Sequence, residues 1–431
     1  MKILWLTNYP LPRIADQVGL PRVVNEGWLV GLSELLIEKK WKIVLCSPLE
    51  KIQKTIQYSE SCLKFYGIVN KNNELYNETL KTTFEEVLRE EMPDIIHIMG
   101  SEFPHSFSMM EACKACGIEN RCVVSIQGLI SKIALAFEIG IDEIAKKKRI
   151  LWDRIVKDSI LLNKKKFIYR GGYEEKLLQC VHHVIGRTEW DYLCVKQINP
   201  TVHYYQGNEI LRNAFYQNRW EYEKCEKHTI MISQATYPIK GFHILLRAVG
   251  NLVKKYPDIK LLVPSTTIYK RAEKRLSFFN SDYTNYILNL IKSTGLGEHI
   301  EFLGRLNEEE MCKAYQRANV CVIASTIENS SNSLGEAMLL GMPVVASQVG
   351  GLRSLMEHNQ EGYFFPITEE YMLEIYIDKV FSLVDKAICM GQAAHIRAME
   401  THNKERNVQN LIDCYKTINK HGEVFLGGYF D

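Results

Sequence analysis

Two glutamates that stand eight positions apart carry the sharpest chemical signal in this sequence. Glu328 and Glu336 lie in the run ENSSNSLGEAMLLGMPVVAS, which follows one apolar stretch, VCVIAS, and ends in another, PVVAS. Two short apolar stretches separated by a polar turn and a helical pattern predict strand, turn, helix and strand. Serine and asparagine are favoured helix N-caps, so the helix is predicted to begin near Ser331 or Asn332.

The start of this helix has the properties of an anion site. The first amides of a helix have no carbonyl partner and the helix dipole is positive there, which favours a phosphate. A carboxylate repels phosphate and suits neutral hydroxyl groups, so we expect one glutamate to hold a sugar and the other a ribose. The residues alone leave an alternative open, in which Glu328 is a turn residue and Glu336 a surface helix residue.

The elements that must position these groups alternate along the chain. Short apolar runs such as KILWLTN and KIVLCSP precede helical patterns, and a second series of the same kind begins after Tyr216. This alternation predicts an α/β fold with two doubly wound parallel sheets. A chain of 431 residues is too long to fold around one ordinary hydrophobic core. We therefore expect an N-terminal domain over 1–216 and a C-terminal domain over 217–400, with the polar segment 217–228 as linker.

Composition narrows the classes of function. The formal net charge is +2, so nucleic acid is not predicted as a partner. No G-x-G-x-x-G follows an early strand, which disfavours a dehydrogenase. The twelve cysteines are scattered through apparent core segments, and neither a secretory leader nor a membrane-spanning run is visible, so we expect a cytoplasmic protein. No residue spacing indicates a metal site.

The segment around the two glutamates resembles the E-x7-E element of the retaining glycosyltransferases of family four, which have the GT-B fold. The resemblance extends through EAMLLGMPVVAS and QVGGLRSLMEHNQEGYFF and is strong from about Ile230 to Phe365. It implies two Rossmann-like domains that face a cleft, the first binding an acceptor and the second a nucleotide sugar. It also implies that a last helix, about 401–420, packs back on the first domain.

The same resemblance assigns roles in a donor site. Glu328 is expected to face the donor hexose, Glu336 to bind the ribose hydroxyls, and Lys240, in QATYPIKGF, to neutralise the diphosphate. A lysine and a helix N-terminus can stabilise a departing diphosphate without a metal ion or other cofactor. Taken alone, Lys240 also fits a simple helix entry. The remaining implied contacts are the amides of Asn332, Ser333 and Leu334 to the distal phosphate, and Gly304 and Arg305 to the nucleobase.

One departure from the family pattern affects the donor site. Serine and glutamine stand at 233–234, where the family usually has Gly-Arg, and Gln234 cannot supply a second cation. Arg187, in VIGRTEWD, and Arg212, in NEILRNAFY, are the candidates to replace it.

Acceptor contacts are expected in the first half of the chain. The glycine-rich turn after the first strand has Gly19 alone, and SIQGL places Gln127 where many relatives carry histidine. Glutamine can bind a sugar hydroxyl but does not titrate near neutral pH. His97 at a strand end, His105 in a following loop, and Glu102 are further candidates, each equally compatible with a structural role.

A basic amphipathic stretch, residues 143–170, lies between the two series. Such a stretch can lie on an anionic membrane or bind a phosphate-bearing lipid, and a solvated surface helix fits equally well. Its cations are Lys146, Lys147, Lys148, Arg149, Lys164, Lys165 and Lys166.

These expectations combine into one reaction and two alternatives. We expect a hexose to pass from a nucleotide diphosphate sugar, with UDP favoured, to a glycan or lipid-diphosphate-linked sugar, with retention of configuration. The stretch VIGRTEWDYL resembles bacterial enzymes of surface polysaccharide synthesis. The alternatives are a GT-B sugar-nucleotide epimerase and a non-catalytic GT-B partner of another transferase.

Overall fold

The computed structural model describes residues 1–22, 27–143, 145, 159–265 and 281–426. The chain divides into two compact units. The first unit comprises Met1–Lys132, Lys166–Ile210 and Asn403–Asp431, and the second comprises Ile133–Lys165 and Leu211–His402.

The first unit is built on an eight-stranded sheet. Its strands are β1 (Lys2–Leu6), β2 (Lys42–Leu49), β3 (Ile56–Glu60), β4 (Leu63–Val69), β5 (Ile95–Ile98), β6 (Cys122–Ser125), β7 (His183–Gly186) and β8 (His203–Gln206). They lie in the order β3-β4-β2-β1-β5-β6-β7-β8, and all neighbours are parallel except β3 and β4. Its helices are α1 (Pro12–Val18), α2 (Gly27–Glu38), α3 (Thr79–Glu91), α4 (Pro104–Ala115), α5 (Ile130–Ala136), α6 (Ile160–Cys180) and α7 (Glu189–Ile198). A last helix, Lys404–Leu426, follows the second unit in the chain and also belongs to the first unit. Helices α5 and α6 each extend across a unit boundary.

The second unit is built on a six-stranded parallel sheet. Its strands are β9 (Thr229–Met231), β10 (Lys260–Val263), β11 (Ile300–Phe302), β12 (Val320–Ile323), β13 (Val344–Ser347) and β14 (Tyr363–Phe365), in the order β11-β10-β9-β12-β13-β14. Its helices are α8 (Asn213–Gln217), α9 (Phe242–Leu252), α10 (Asp282–Thr294), α11 (Glu308–Arg317), α12 (Asn332–Leu340), α13 (Leu352–Leu355), α14 (Glu370–Ser382) and α15 (Val384–Thr401), so that Lys404–Leu426 becomes α16.

The apolar strands form where helices cover both faces of a sheet. In β1, Leu4 is fully buried and pairs with Val44 on one side and Ile96 on the other. A strand that is buried on both faces needs apolar residues at successive positions, which is the pattern of KILWL and VCVI. The predicted α/β class with two parallel sheets is therefore confirmed.

Residues 133–165, which the sequence predicts in the N-terminal domain, belong instead to the second unit. Backbone carbonyls hold them there. The hydroxyl of Thr326 donates to the carbonyl of Ala136 at 3.0 Å, and Arg247 donates to that of Gly140 at 3.0 Å. These hydrogen bonds join residues that are far apart in the chain, so a local sequence pattern could not predict them.

The segment 217–228, predicted as a linker, also packs in the second unit. Trp220 is buried there, and its indole N–H donates to the carbonyl of Ala318 at 2.8 Å. One large aromatic side chain can anchor a polar segment, because an indole ring buries a large apolar area and its N–H finds a hydrogen-bond partner. The unit boundary in this part of the chain lies at 210–211 instead.

Helix α16 is held in the first unit by buried polar contacts as well as apolar ones. The indole N–H of Trp5 donates to the hydroxyl of Tyr415 at 3.2 Å, and Ile418 is fully buried. Elsewhere, most of the predicted basic stretch, 144 and 146–158, lies outside the described residues. Across the part of the chain that the structure describes, no helix is both long and apolar enough to cross a membrane.

Candidate functional site

The turn between β12 and α12 has the geometry that its sequence predicts. Ser331 is the N-cap of α12, and its hydroxyl accepts from the amide of Leu334 at 3.4 Å. The helix ends at Gly341, whose φ of 78° is the left-handed conformation that glycine adopts without strain. The predicted start at Ser331 or Asn332 is confirmed.

The cap changes which amides are available to an anion. The amide of Leu334, expected to bind phosphate, is occupied by Ser331, because an N-cap hydroxyl satisfies the third amide of its helix. The amides of Asn332 and Ser333 belong to the first turn, where a helix has no carbonyl to pair them. The side-chain oxygen of Asn332 is buried without a hydrogen-bond partner among the described residues.

Lys240 and Glu328 form an ion pair beside this helix start. Lys240 Nζ lies 2.5 Å from Glu328 Oε1, and the hydroxyl of Ser325 donates to the same oxygen at 2.8 Å. Burial alone would lower the pKa of Lys240, but the charge of Glu328 outweighs it and the pKa is raised. Lys240 is therefore a fixed cation at neutral pH.

Backbone geometry fixes where this lysine lies. Lys240 closes a short turn, Pro238–Lys240, and Gly241 follows with a φ of 66° before α9 begins. A Cβ at this glycine would collide with the carbonyl of Ala324, so β12 and the turn approach each other more closely than any other residue allows. The helix entry that Lys240 was expected to fit is thus present, together with the charge pair.

A small cavity collects four of the predicted donor residues, Gln234, Lys240, Glu328 and Ser333. Gln234 lines it and accepts from the hydroxyl of Tyr237 at 3.3 Å, so it offers polarity but no charge. The cavity is lined by Ile232, Ser233, Gln234, Lys240, Val322, Ile323, Ala324, Ser325, Glu328, Ser331 and Ser333.

Glu336 forms an ion pair with Arg212 that was not predicted from the sequence. Arg212 Nε and Nη2 each donate to one carboxylate oxygen of Glu336, both at 2.6 Å. Burial opposes the charge on Arg212, but the bond to Glu336 raises its pKa. Arg212 was a candidate for the missing second cation, and its charge is instead compensated by this carboxylate.

Gly304 and Arg305 follow β11 in the same unit. Gly304 has a φ of 74°, which suits the sharp turn between this strand and α11, and Arg305 is exposed. Neither lines the small cavity that holds Lys240 and Glu328. Their assignment to a nucleobase remains a prediction.

The first unit brings Gln127 and Arg187 together. Arg187 donates to the side-chain oxygen of Gln127 at 2.7 Å and also forms a buried ion pair with Glu209. Arg187, predicted as a replacement cation for the donor, therefore has its charge compensated within the first unit. The amide nitrogen of Gln127 is buried and has no partner among the described residues.

Glu102, the one carboxyl group among the predicted acceptor residues, has a raised pKa. Its side chain folds over Gly100, which has a φ of 129°, and a Cβ at that glycine would collide with it. The pKa of Glu102 is raised to about 7, chiefly because burial disfavours the charged carboxylate; a backbone hydrogen bond and the charges of Arg187 and Arg170 oppose this rise, and the charge of Glu174 adds to it. One oxygen of Glu102 is buried with no partner in the described chain.

Two residues of this cluster were not predicted. Glu174 is buried and accepts from the hydroxyl of Ser101 at 2.7 Å and from the amides of Ile130 and Ser131 at 3.0 and 2.8 Å. Arg170 is buried against aromatic rings. The only sequence signal was their spacing of four along a basic helix, which is typical of a solvated face.

The two histidines are buried in the first unit. His97 is bound by the hydroxyls of Tyr415 and Ser125, each at 2.6 Å, and burial lowers its pKa to about 3. His105 was predicted in a loop but lies in the first turn of α4, where Nε2 is 3.0 Å from the side-chain oxygen of Asn8 and burial lowers its pKa to about 3. Both rings are neutral near pH 7, and their assignment to the acceptor remains a prediction. Gly19 ends α1 with a φ of 70° and is exposed.

Comparison with known proteins finds a family model that matches part of the chain. Residues 216–397 match the model of the glycosyl transferases group 1. The D-inositol 3-phosphate glycosyltransferase of Corynebacterium urealyticum is 25% identical over 185 residues, which are 42% of this chain and 41% of that protein. The phosphatidyl-myo-inositol mannosyltransferase of Mycobacterium leprae is 27% identical over 200 residues, 46% and 48% of the two chains. The chain thus spans less than half the length of these relatives.

Solved structures resemble the whole chain. Sucrose-phosphate synthase from Thermosynechococcus elongatus has a TM-score of 0.71 at 16% identity, covering 97% of this chain and 99% of that one. Anabaena HepE in complex with UDP-glucose has a TM-score of 0.59 at 14% identity, covering 99% of both. The predicted GT-B fold, with two Rossmann-like units, is confirmed. The protein therefore has the GT-B fold, and its residues 216–397 match the glycosyl transferases group 1 family.

Proposed function

We propose that this protein is a group 1 glycosyltransferase that moves a hexose from a nucleotide diphosphate sugar to an acceptor hydroxyl. The observation that carries the proposal is the arrangement of Lys240 and Glu328 around one cavity with the N-terminus of α12. A cation and a helix N-terminus bind a diphosphate, while a carboxylate binds sugar hydroxyls. The GT-B neighbour HepE, whose structure was solved in complex with UDP-glucose, supports a UDP-sugar as donor.

Departure of the nucleotide diphosphate is the step that these groups assist. As the bond from the anomeric carbon to the phosphate oxygen breaks, negative charge grows on the phosphate, and Lys240 and the first amides of α12 stabilise it. Lys240 exchanges Glu328 for the diphosphate when the donor binds. The reaction then needs no metal ion, and Gln234 contributes a polar contact in place of a second cation.

Transfer with retention of configuration is proposed with a positioning role for Glu328. Lys240 and Ser325 donate to this carboxylate, which weakens it as a nucleophile and suits an orienting group better. The acceptor oxygen attacks the anomeric carbon from the face that the phosphate leaves, and the departing phosphate takes the acceptor proton. Glu336, held by Arg212, binds the ribose hydroxyls.

The acceptor is proposed to be a glycan or a lipid-diphosphate-linked sugar of surface polysaccharide synthesis. Glu102 and Gln127 carry buried polar atoms without partners among the described residues, and hydroxyl groups of a sugar would satisfy them. The names of two relatives include an inositol phosphate and a phosphatidyl-inositol. A cytoplasmic protein that contacts an anionic membrane through 143–170 would meet such an acceptor, and co-sedimentation with anionic vesicles at low salt tests this.

A non-catalytic GT-B partner is the second candidate function. Two observations favour it: Gln234 replaces a family cation, and Glu336 is already bound by Arg212. The presence of both Lys240 and Glu328 in one cavity favours the transferase. A GT-B epimerase, which needs no acceptor, would be recognised by an isomer of the donor sugar among the products.

The first test is a thermal-shift panel with UDP, GDP, ADP and CMP, each repeated with excess chelator. A rise in Tm with one diphosphate that survives chelation supports metal-independent donor binding and names the base. Transfer from the matching nucleotide sugar is then assayed with candidate acceptors. The absence of any shift would contradict the transferase and favour the non-catalytic partner.

A further inference from the structure

The segment 136–142 of the second unit, which we call the brace segment, contacts the elements that carry the proposed donor residues. Thr326 is buried in the loop between β12 and α12, and its hydroxyl donates to the carbonyl of Ala136 at 3.0 Å. Its amide donates at 2.8 Å to the carbonyl of Ile239, the residue before Lys240. One threonine therefore connects the brace segment to the turn that ends in Lys240.

The brace segment is also bound by the first two turns of α9, the helix that follows the turn Pro238–Lys240. The ring of His243 lies with Nε2 3.0 Å from the carbonyl of Ile139, and because a carbonyl can only accept, this nitrogen carries the proton and donates it. Arg247 donates to the carbonyl of Gly140 at 3.0 Å. The brace segment is thus held on both sides of the turn, by the loop before α12 and by the start of α9.

Close packing leaves the brace segment little room to shift. The side chains of Phe137 and Ile141 are buried. A Cβ at Gly140 would lie 3.0 Å from Nε2 of His243, which is a tighter contact than Cβ atoms usually make. A displacement of the segment would therefore disturb α9 as well as the loop that carries Thr326.

A support of this kind matters because donor binding removes the ion pair that holds Lys240. Lys240 pairs with Glu328 until a diphosphate replaces the carboxylate, as proposed above. A cation that is fixed in advance loses less conformational entropy when it binds an anion than one that must first be ordered. The two bonds of Thr326 involve neither charge, so they persist when the ion pair is broken.

We propose that Thr326 is a positioning residue, which holds the turn of Lys240 on the brace segment and so places the lysine for the diphosphate. This inference rests on the proposed function, because it concerns the binding of the donor by Lys240. Thr326 does not line the small cavity that holds Lys240 and Glu328, so it acts on the donor through the backbone.

The first test compares Thr326→Val, which removes the hydroxyl and keeps the shape of the side chain, with Thr326→Ser, which keeps the hydroxyl. Calorimetric titration measures the affinity of each full-length variant for UDP and for uridine. We expect Thr326→Val to weaken UDP binding about three- to tenfold, because a buried hydrogen bond is lost and Lys240 is held less firmly. Affinity for uridine, and the affinity of Thr326→Ser for UDP, should stay within about twofold of wild type.

Thr229→Val is the matched control. Thr229 is also buried in the second unit, and its hydroxyl donates to the carbonyl of Lys227 at 3.2 Å. It lies at the amino end of β9, whereas the donor cavity lies beyond the carboxyl end of this strand. This variant should lower Tm about as much as Thr326→Val without weakening UDP binding.

Three results of this comparison would overturn the proposal. The first is an equal loss of UDP and uridine affinity in Thr326→Val, which would indicate a general collapse of the cavity. The second is an equal loss in Thr326→Ser, which would show that the hydroxyl has no role. The third is an equal loss of UDP affinity in Thr229→Val, which would make the effect one of stability alone.

A second pair of variants tests the brace segment nearer the surface and decides the proposal if the first variant does not fold. Arg247 is half-buried, pairs with Glu370 of α14 and also donates to the carbonyl of Gly140 in the brace segment. Lys255 is exposed and pairs with Asp378 of the same helix. Arg247→Gln should bind UDP about threefold more weakly than Lys255→Gln. Equal UDP affinities in these two variants would overturn the role of the brace segment.

Binding by wild type separates this inference from the proposed function. If wild type binds no nucleotide diphosphate, the proposed function fails, and the positioning role fails with it. If wild type binds UDP and Thr326→Val binds it equally tightly, the proposed function stands and the positioning role alone fails.

Discussion

Lys240 Nζ lies 2.5 Å from Glu328 Oε1, so the two charges that the proposed donor site offers to a substrate compensate each other in this structure. A diphosphate competes with Glu328 for the lysine, and sugar hydroxyls compete with Lys240 for the carboxylate. Donor binding therefore exchanges one ion pair for another, and each partner can be tested by removing its charge.

Replacing Lys240 with methionine removes the cation and keeps much of the side-chain volume. We expect affinity for UDP to fall about ten- to hundredfold, because a hydrogen bond to a charged group contributes about 1.5–3 kcal/mol. Affinity for uridine, which has no phosphate, should change little and serves as the control. Calorimetric titration with both ligands measures this, and equal losses for the two would show that the cavity has collapsed instead.

Replacing Glu328 with glutamine should separate donor binding from transfer. The variant releases Lys240 from its ion pair, so UDP is expected to bind as tightly as in wild type or more tightly. Transfer is expected to slow by about 100-fold, because the sugar loses an orienting carboxylate. Direct binding and initial-rate assays measure the two effects. A loss of many orders of magnitude, as when a covalent nucleophile is removed, would contradict the positioning role.

Arg212 is expected to position Glu336 for ribose. In Arg212→Gln the buried carboxylate loses both bonds from the guanidinium, which should lower the free energy of unfolding by about 1–3 kcal/mol. Preference for UDP over 2′-deoxy-UDP should fall in the same variant. Arg219→Gln is the control, since the guanidinium of Arg219 donates to the carbonyl of Leu339, near the other end of α12, at 3.3 Å. An unchanged preference for ribose in Arg212→Gln would contradict this role.

Glu102 should make stability depend on pH. Its pKa is raised by burial to about 7 from an ordinary value of 4.5, so the folded state keeps a proton that the unfolded state releases. Stability contributed by the neutral carboxyl is present below about pH 4.5 and is lost as pH rises to about 7, by about 3 kcal/mol.

The variant Glu102→Gln is neutral at every pH and isolates this effect. Compared with wild type, it should gain relative stability between about pH 4.5 and 7, and the difference should stay constant above that range. Urea unfolding at a series of pH values measures the difference. A constant difference across the whole range would show that folding does not raise the pKa of Glu102.

Much of the fold could be predicted from local patterns. The turn before α12 was located to within one residue because serine caps a helix through its own nearby amides. Strands β1 and β12 were recognisable because burial on both faces demands unbroken apolar runs. Lys240 and Glu328 were assigned to one site by resemblance, and the structure places them in one cavity.

Pairings between distant residues could not be predicted in this way. Arg212 and Glu336 are 124 positions apart, and His97 meets Tyr415 across 318 positions. Nothing in the sequence around either histidine distinguishes a ring buried by a distant helix from one that faces a ligand. Only the structure shows that His97 is buried, and this burial lowers the pKa of the ring to about 3 and keeps it neutral.

The sequence by itself determined the α/β class, the two parallel sheets and the capped helix start, because strand, helix and cap are specified by residues within a few positions of one another. Only the tertiary structure decided which charges are compensated. Lys240, Arg187 and Arg212 all have carboxylate partners. Electrostatic interactions depend on distance through space, and chain folding sets that distance.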